Sequence, residues 1–157
     1  MVQRSQDRYW APGAQNYWKS DYLTGLDASA VETLVGAAES FTSPESDMKV
    51  VIMGGAIGRV AKDATAYGNR GAQLLLNINT RWSEQAGDDR HVAWTRALWD
   101  DLHRLASGVY VNFLGDEGAG RVREAYGDAK YARLVALKDR WDPTNLFKVN
   151  QNIPPSG

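Results

Sequence analysis

Hydrophobic positions recur along this chain at two periods. In Tyr17-Trp18-Lys19-Ser20-Asp21-Tyr22 aromatic and polar residues interleave, which suits a β-strand. Asp27 then stands where it can cap a helix whose apolar residues Val31, Leu34, Val35 and Ala38 fall at i, i+3, i+4 and i+7. After the turn-forming Thr42-Ser43-Pro44-Glu45-Ser46, the β-branched and apolar run Met48 to Met53 predicts a strand ending at Gly54-Gly55, and Leu74 to Trp82 predicts another. Val92, Leu98, Leu102 and Leu105 mark an amphipathic helix from about residue 86 to 105, with Gly108 beyond it. Val109-Tyr110-Val111-Asn112-Phe113 predicts a further strand, two short helices are separated at Gly127-Asp128, and the tail from Pro143 to Gly157 is irregular. Residues 1–14 are polar and read as a flexible lead-in, leaving 15–157 as one domain. The alternation predicts an α+β fold with a mainly antiparallel sheet and helices packed on one face.

Successive strand side chains point to opposite faces, so each candidate strand reports on two environments. Val109, Val111 and Phe113 form an apolar face against Tyr110 and Asn112. Leu74, Leu76, Ile78 and Thr80 likewise oppose Leu75, Asn77, Asn79 and Arg81. Asparagine is a poor strand former, and two readings account for it: a sheet whose polar face meets water, or a floor of hydrogen-bonding groups for a ligand such as a heteroaromatic ring edge or a sugar. Patterning leaves both open. Lys19 reads as a solvated lysine, and His91 and His103 as solvent-facing residues too far apart to share a metal. Gly54-Gly55-Ala56-Ile57-Gly58 has neither dinucleotide-binding spacing nor a phosphate-loop lysine and reads as a turn.

Composition narrows the function classes. With 157 residues and 43% hydrophobic content the chain has material for one core. A formal charge of −1 without long runs of one sign argues against a nucleic-acid or acidic-membrane surface. The absence of cysteine removes disulfides, thiolate chemistry and a cysteine zinc site. The polar start lacks an apolar stretch of signal-peptide length, and no segment approaches a membrane span, so a cytoplasmic protein is expected.

Several strings taken together resemble the berberine-bridge-enzyme-like FAD-linked oxidases of the vanillyl-alcohol-oxidase type. They are Asn16-Tyr17-Trp18-Lys19-Ser20, Gly54-Gly55-Ala56, Leu76-Asn77-Ile78 leading to Trp82, Tyr110-Val111-Asn112-Phe113, the residues Tyr131, Leu134, Val135 and Lys138, Trp141-Asp142-Pro143-Thr144-Asn145-Leu146-Phe147, and Asn150-Gln151-Asn152-Ile153-Pro154. In that family an N-terminal domain carries most of the FAD site, a central α+β domain covers the isoalloxazine, and a C-terminal segment returns to the flavin domain. This chain resembles the second half of the central domain plus that segment.

The resemblance implies roles residue by residue. Tyr110 matches the tyrosine that faces substrate and helps remove a proton as hydride passes to the flavin. Asn112 matches a flavin contact, Asn77 stands toward substrate with Asn79 on the same face, and Asn150 and Asn152 match the segment approaching the flavin. Leu75 replaces a lysine of some plant relatives. The implied cofactor is FAD and the implied substrate a small alcohol, sugar or alkaloid. The resemblance also implies that the flavin-binding domain is missing, so the chain is read as one piece of a split enzyme with a separate flavin-binding subunit, or as a truncated product or excised domain, and self-association through the sheet is expected. The isolated chain is expected not to be a competent oxidase. The alternative is a non-catalytic ligand-binding or dimerisation module derived from the family.

Overall fold

A computed structural model describes residues 2–84, 86–115 and 117–157. Its elements are α1 (Val2–Tyr9), β1 (Gln15–Leu23), α2 (Ala28–Glu39), β2 (Asp47–Ile52), α3 (Ala56–Arg59), β3 (Leu74–Trp82), α4 (Asp88–His103), β4 (Ala106–Gly108), a 3-10 turn (Val111–Phe113), α5 (Ala119–Tyr126) and α6 (Asp128–Trp141). The strands lie in the order β2-β3-β1-β4 with every neighbouring pair antiparallel. β1-α2-β2 and β3-α4-β4 are thus two split β-α-β units interleaved in one sheet, the ferredoxin-like arrangement. The α+β class and antiparallel sheet expected from the sequence are what the molecule has.

Register fixes the faces. Tyr17 opposes Thr80, Lys19 opposes Ile78, and Asp21 opposes Leu76, so these residues share the side that carries α2 and α4. There Leu23, Leu76 and Ile78 pack with Ala30, Ala37, Leu98 and Leu102 in the main core. The other side carries Trp18, Ser20 and Tyr22 beside Asn79, Asn77 and Leu75, with Asp47, Lys49 and Val51 of β2 beyond them. The cap predicted for α2 is present: the Asp27 side chain accepts from the Ala30 N–H at 2.8 Å. Two Arg104 bonds to the same carboxylate, at 2.6 and 2.8 Å, tie the end of α4 to the start of α2.

Two expectations are corrected. Residues 109–113 do not form a strand: β4 stops at Gly108, and Phe113 N–H closes a turn on the Tyr110 carbonyl at 2.9 Å. Val109 and Leu114 both enter a second apolar cluster with Val122 and Ala125 of α5. An odd separation would send two strand residues to opposite faces, so only a turn lets both reach that cluster. The polar start, read as a lead-in, is helical over Val2–Tyr9, and its end is bonded to the sheet. Tyr9 donates to the Glu45 carbonyl at 2.8 Å and to Asp47, while Arg81 reaches the Ala11 carbonyl at 2.6 Å.

Candidate functional site

Asn69 of the loop before β3 donates to the Val109 carbonyl at 3.1 Å and crowds Gly108, whose absent Cβ would sit 2.6 Å from the Asn69 oxygen. Only a glycine lets that side chain lie so close. Beyond this clamp the extended Tyr110 leads into the turn, which brings the Asn112 amide back to donate to the Tyr110 hydroxyl at 3.0 Å. The Tyr110 ring meets Phe113 and Tyr22 edge-on, with centroids 4.9 and 5.9 Å away. Burial pushes the Tyr22 hydroxyl well above the usual tyrosine range, reinforced by Tyr67 and Tyr110, so Tyr22 remains a neutral packing partner.

Two cavities adjoin this turn. One, of about 270 Å³, is lined by Tyr67, Asn69, Tyr110, Asn112 and Tyr126 among others. The second, of about 540 Å³, is lined by Trp18 of β1, Val111, Asn112 and Leu114 around the turn, Tyr126 of α5, and Val149, Asn150 and Gln151 of the tail. Gln151 holds the tail in place by donating to the carbonyls of Leu114 and Gly115 at 2.8 and 3.2 Å. Asn150 adopts a left-handed backbone (φ 62°), and the Asn152 N–H folds onto its carbonyl at 2.9 Å. The indole N–H of Trp18 is buried and has no hydrogen-bond partner among the described residues.

Asn112, bonded to Tyr110, thus shares a cavity with Asn150, far from both in sequence. Asn77, Asn79 and Asn152 line neither cavity. Asn77 and Asn79 are buried on the side of the sheet away from the helices, where Ser20 and Trp18 are their cross-strand neighbours. Asn79 donates to Asp47 at 3.4 Å, but the side-chain carbonyl oxygens of Asn77 and Asn79 are buried without a donor among the described residues. Such orphaned acceptors cost stability, so their presence on one face needs an explanation beyond packing.

The remaining polar residues singled out in the sequence are structural. Lys19 is ion-paired with Glu117 at 2.7 Å and lies over Trp99 on the helix-bearing side. His103 bonds the buried Asp21 at 2.7 Å, and Arg121 meets the same carboxylate at 3.2 Å. Burial raises the Asp21 carboxyl above its ordinary range, opposed by His103 and Arg121. His91 is buried, stacked on Trp82 and bonded to Thr42 at 2.7 Å. His103 is exposed, as expected from the sequence, whereas His91 is buried and not the solvent-facing group expected. Among the described residues no cluster of His, Asp and Glu could hold a metal, and no helix is long and apolar enough to cross a membrane.

Residues 109–154 match the family described as berberine and berberine like. Relatives extend the match to most of the chain. YvdP of Bacillus subtilis strain 168, an uncharacterized FAD-linked oxidoreductase, is 31% identical over 139 residues, covering 88% of this chain and 30% of that protein. The monolignol oxidoreductase AtBBE-like 13 of Arabidopsis thaliana is 27% identical, over 89% of this chain and 29% of its own length. In structure, BBE-like 28 of Arabidopsis thaliana superposes with a TM-score of 0.79 at 19% identity, over 92% of this chain and 34% of the other. CrmK, a flavoenzyme involved in shunt product recycling in caerulomycin biosynthesis, gives 0.77 at 28% identity, over 92% of this chain and 33% of its own. The chain belongs to the berberine-bridge-enzyme-like family of FAD-linked oxidoreductases. It spans about 30% of the length of the curated relatives it matches.

Proposed function

We propose that this chain is the substrate-side portion of an FAD-linked oxidoreductase acting on a small alcohol, sugar or alkaloid-type molecule, completed by a flavin-binding domain. The reading rests chiefly on one observation. Asn112, bonded to Tyr110, lines one cavity together with Asn150 and with Trp18, whose indole N–H is buried without a partner among the described residues.

These residues fit FAD. A buried indole donor and two asparagine amides suit the alternating carbonyl and N–H groups at a heteroaromatic edge. Asn112, Asn150 and Trp18 would hold that edge; when bound, FAD supplies the hydride acceptor. Tyr110 stands toward substrate, where its hydroxyl takes part in removing a proton. The Asn112 N–H is aimed at that oxygen and stabilises charge developing on it. Asn77 and Asn79, with their free acceptor oxygens, would receive substrate hydroxyl or N–H groups.

Contact with a flavin-binding domain is supported by the surface. Leu146, Phe147 and Val149 are 74, 77 and 82% exposed, next to the exposed Trp141 and Leu137. Asp142 accepts from the Leu146 and Phe147 N–H groups at 2.7 and 3.0 Å and pairs with Lys138, which lowers its carboxyl pKa, so the turn displays these side chains in a fixed shape. A fixed apolar surface of this kind marks an interaction site.

The test is titration of the purified chain with FAD, followed by flavin fluorescence, with and without a flavin-binding domain of this family supplied as a second chain. Saturable binding with the second chain, and bleaching of the flavin on adding substrate, are expected. Failure of the two chains to form a flavin complex would leave only a non-catalytic module.

A further inference from the structure

Lys19 and Asp21 project from β1 onto the helix-bearing side, where their cross-strand neighbours are Ile78 and Leu76 of the main core. Charges on an apolar face cost stability unless each meets a partner, and here the partners come from elements outside the sheet. Lys19 pairs at 2.7 Å with Glu117, in the loop that joins the 3-10 turn to α5. Asp21 meets Arg121, in the first turn of α5, at 3.2 Å and His103, at the end of α4, at 2.7 Å. Arg121 also lies 3.5 Å from Glu117 and 2.7 Å from Glu124, so the two anchors form one network. Both cations lie over Trp99 of α4, at 4.6 and 5.6 Å from the ring centre. The side chains of Lys19, Glu117, Asp21 and Arg121 are 12, 15, 2 and 19% exposed, so water screens these pairs far less than it does pairs on an open surface.

The loop held in this way carries the wall of the larger cavity. Its Leu114 and Gly115 carbonyls are the two that Gln151 binds, and Gln151 stands next to Asn150. Beyond the loop, α5 supplies Tyr126 to both cavities. The same segment is also attached through the apolar cluster of Val109, Leu114, Val122 and Ala125. Apolar contacts are non-directional and keep the segment close without fixing where it sits along the sheet, whereas bonds from a planar guanidinium to carboxylates are directional. We infer that Asp21 and Arg121 are positioning residues for the ligand cavity: their pair, made on the helix-bearing side, sets the loop from which Gln151 hangs, and through it the place of Asn150. The inference rests on the reading of that cavity as the ligand site. One strand serves both sides of the arrangement. Lys19 anchors the loop, while its neighbour Trp18 points to the opposite face and lines the cavity. A slip of the loop along β1 therefore changes the spacing between Trp18 and Asn150.

The test uses the full chain without flavin, so its outcome stands apart from that of the flavin titration. The NMR signals of the Gln151 side-chain amide, assigned by their loss in Gln151→Glu, report the two carbonyl bonds. Arg121→Gln, and separately Asp21→Asn, move these signals toward those of a free glutamine amide and speed their exchange with water at least about tenfold beyond any change in the β1–β3 backbone amides. The double variant does no more than either single one, because both remove the same contact. Leu34→Ala, which loosens the packing of α2 on the main core, lowers the urea midpoint and leaves the Gln151 signals in place, separating positioning from general loss of stability. Should the buried Asp21→Asn fail to fold, Arg121→Gln decides alone. Gln151 signals unmoved in Arg121→Gln, effects that add in the double variant, or the same movement in Leu34→Ala would each overturn the inference and leave the apolar cluster as what places the wall.

Discussion

The side-chain amide of Asn112 donates to the Tyr110 hydroxyl at 3.0 Å, although the two residues lie on a 3-10 turn and not on one face of a strand. An N–H aimed at a phenol oxygen helps most when that oxygen carries charge. In the protein completed by its flavin-binding domain, Tyr110→Phe is expected to slow flavin reduction by substrate about 10²–10⁴-fold, the range of a lost proton-transfer group. Flavin binding, followed by fluorescence, is expected to stay unchanged. Stopped-flow reduction at the wild-type rate would remove Tyr110 from the chemistry.

Asn77 presents a buried oxygen without a donor. Replacing it with the similarly sized leucine removes an unsatisfied acceptor, so Asn77→Leu is expected to raise the unfolding free energy by about 1 kcal/mol while weakening substrate binding. Urea denaturation decides the first point. A clear loss of stability would show that the amide serves the fold.

The Asp27 carboxyl is held down to about 2 by its Arg104 bonds and the Ala30 N–H. In the unfolded chain an aspartate titrates near ~3.9. A depressed folded value stabilises the fold at pH above the unfolded value, and that contribution is lost as pH falls toward about 2. Asp27→Ala should therefore melt below wild type at neutral pH, with the gap narrowing as the solution is acidified through this window. Scanning calorimetry at stepped pH gives the answer, and a gap independent of pH would assign the effect to the helix alone.

Gly108 lies where a methyl group would meet the Asn69 oxygen at 2.6 Å. Gly108→Ala is expected to cost about 1–3 kcal/mol, as overpacking does. The strain works through one contact, so adding Asn69→Ala should recover part of that loss despite the bond to Val109 that it sacrifices. Additive losses in the double-mutant cycle would exclude Asn69 as the source.

Much of the fold was legible because the period of two in Leu74–Trp82 and the i, i+3, i+4 recurrence after Asp27 each depend only on neighbouring residues. The stretch 109–113 misled for the opposite reason. Its alternation mimics a strand, but Leu114 and Val109 answer to α5, a contact that local pattern does not carry. The same turn joins Tyr110 to Asn112 by a hydrogen bond, so the pairing read from an assumed strand face exists through different geometry. Asn79 was legible as a polar residue on the non-core side, yet not that Asp47 and the end of α1 would close around it. Trp18, Tyr126 and Gln151 gave no sign of their place at the cavity, since each looks like ordinary strand, helix or tail. His91 failed similarly: polarity suggested water, whereas Thr42 and Trp82 supply partners from distant elements.

Gln151 hangs the outer wall of the larger cavity on two carbonyls of the loop before α5. That wall is made later during synthesis than every strand and helix described. Sheet, helices and turn can therefore all be finished while the binding site still stands open on one side, so a nascent protein halted just short of this glutamine would be folded yet blind to its ligand.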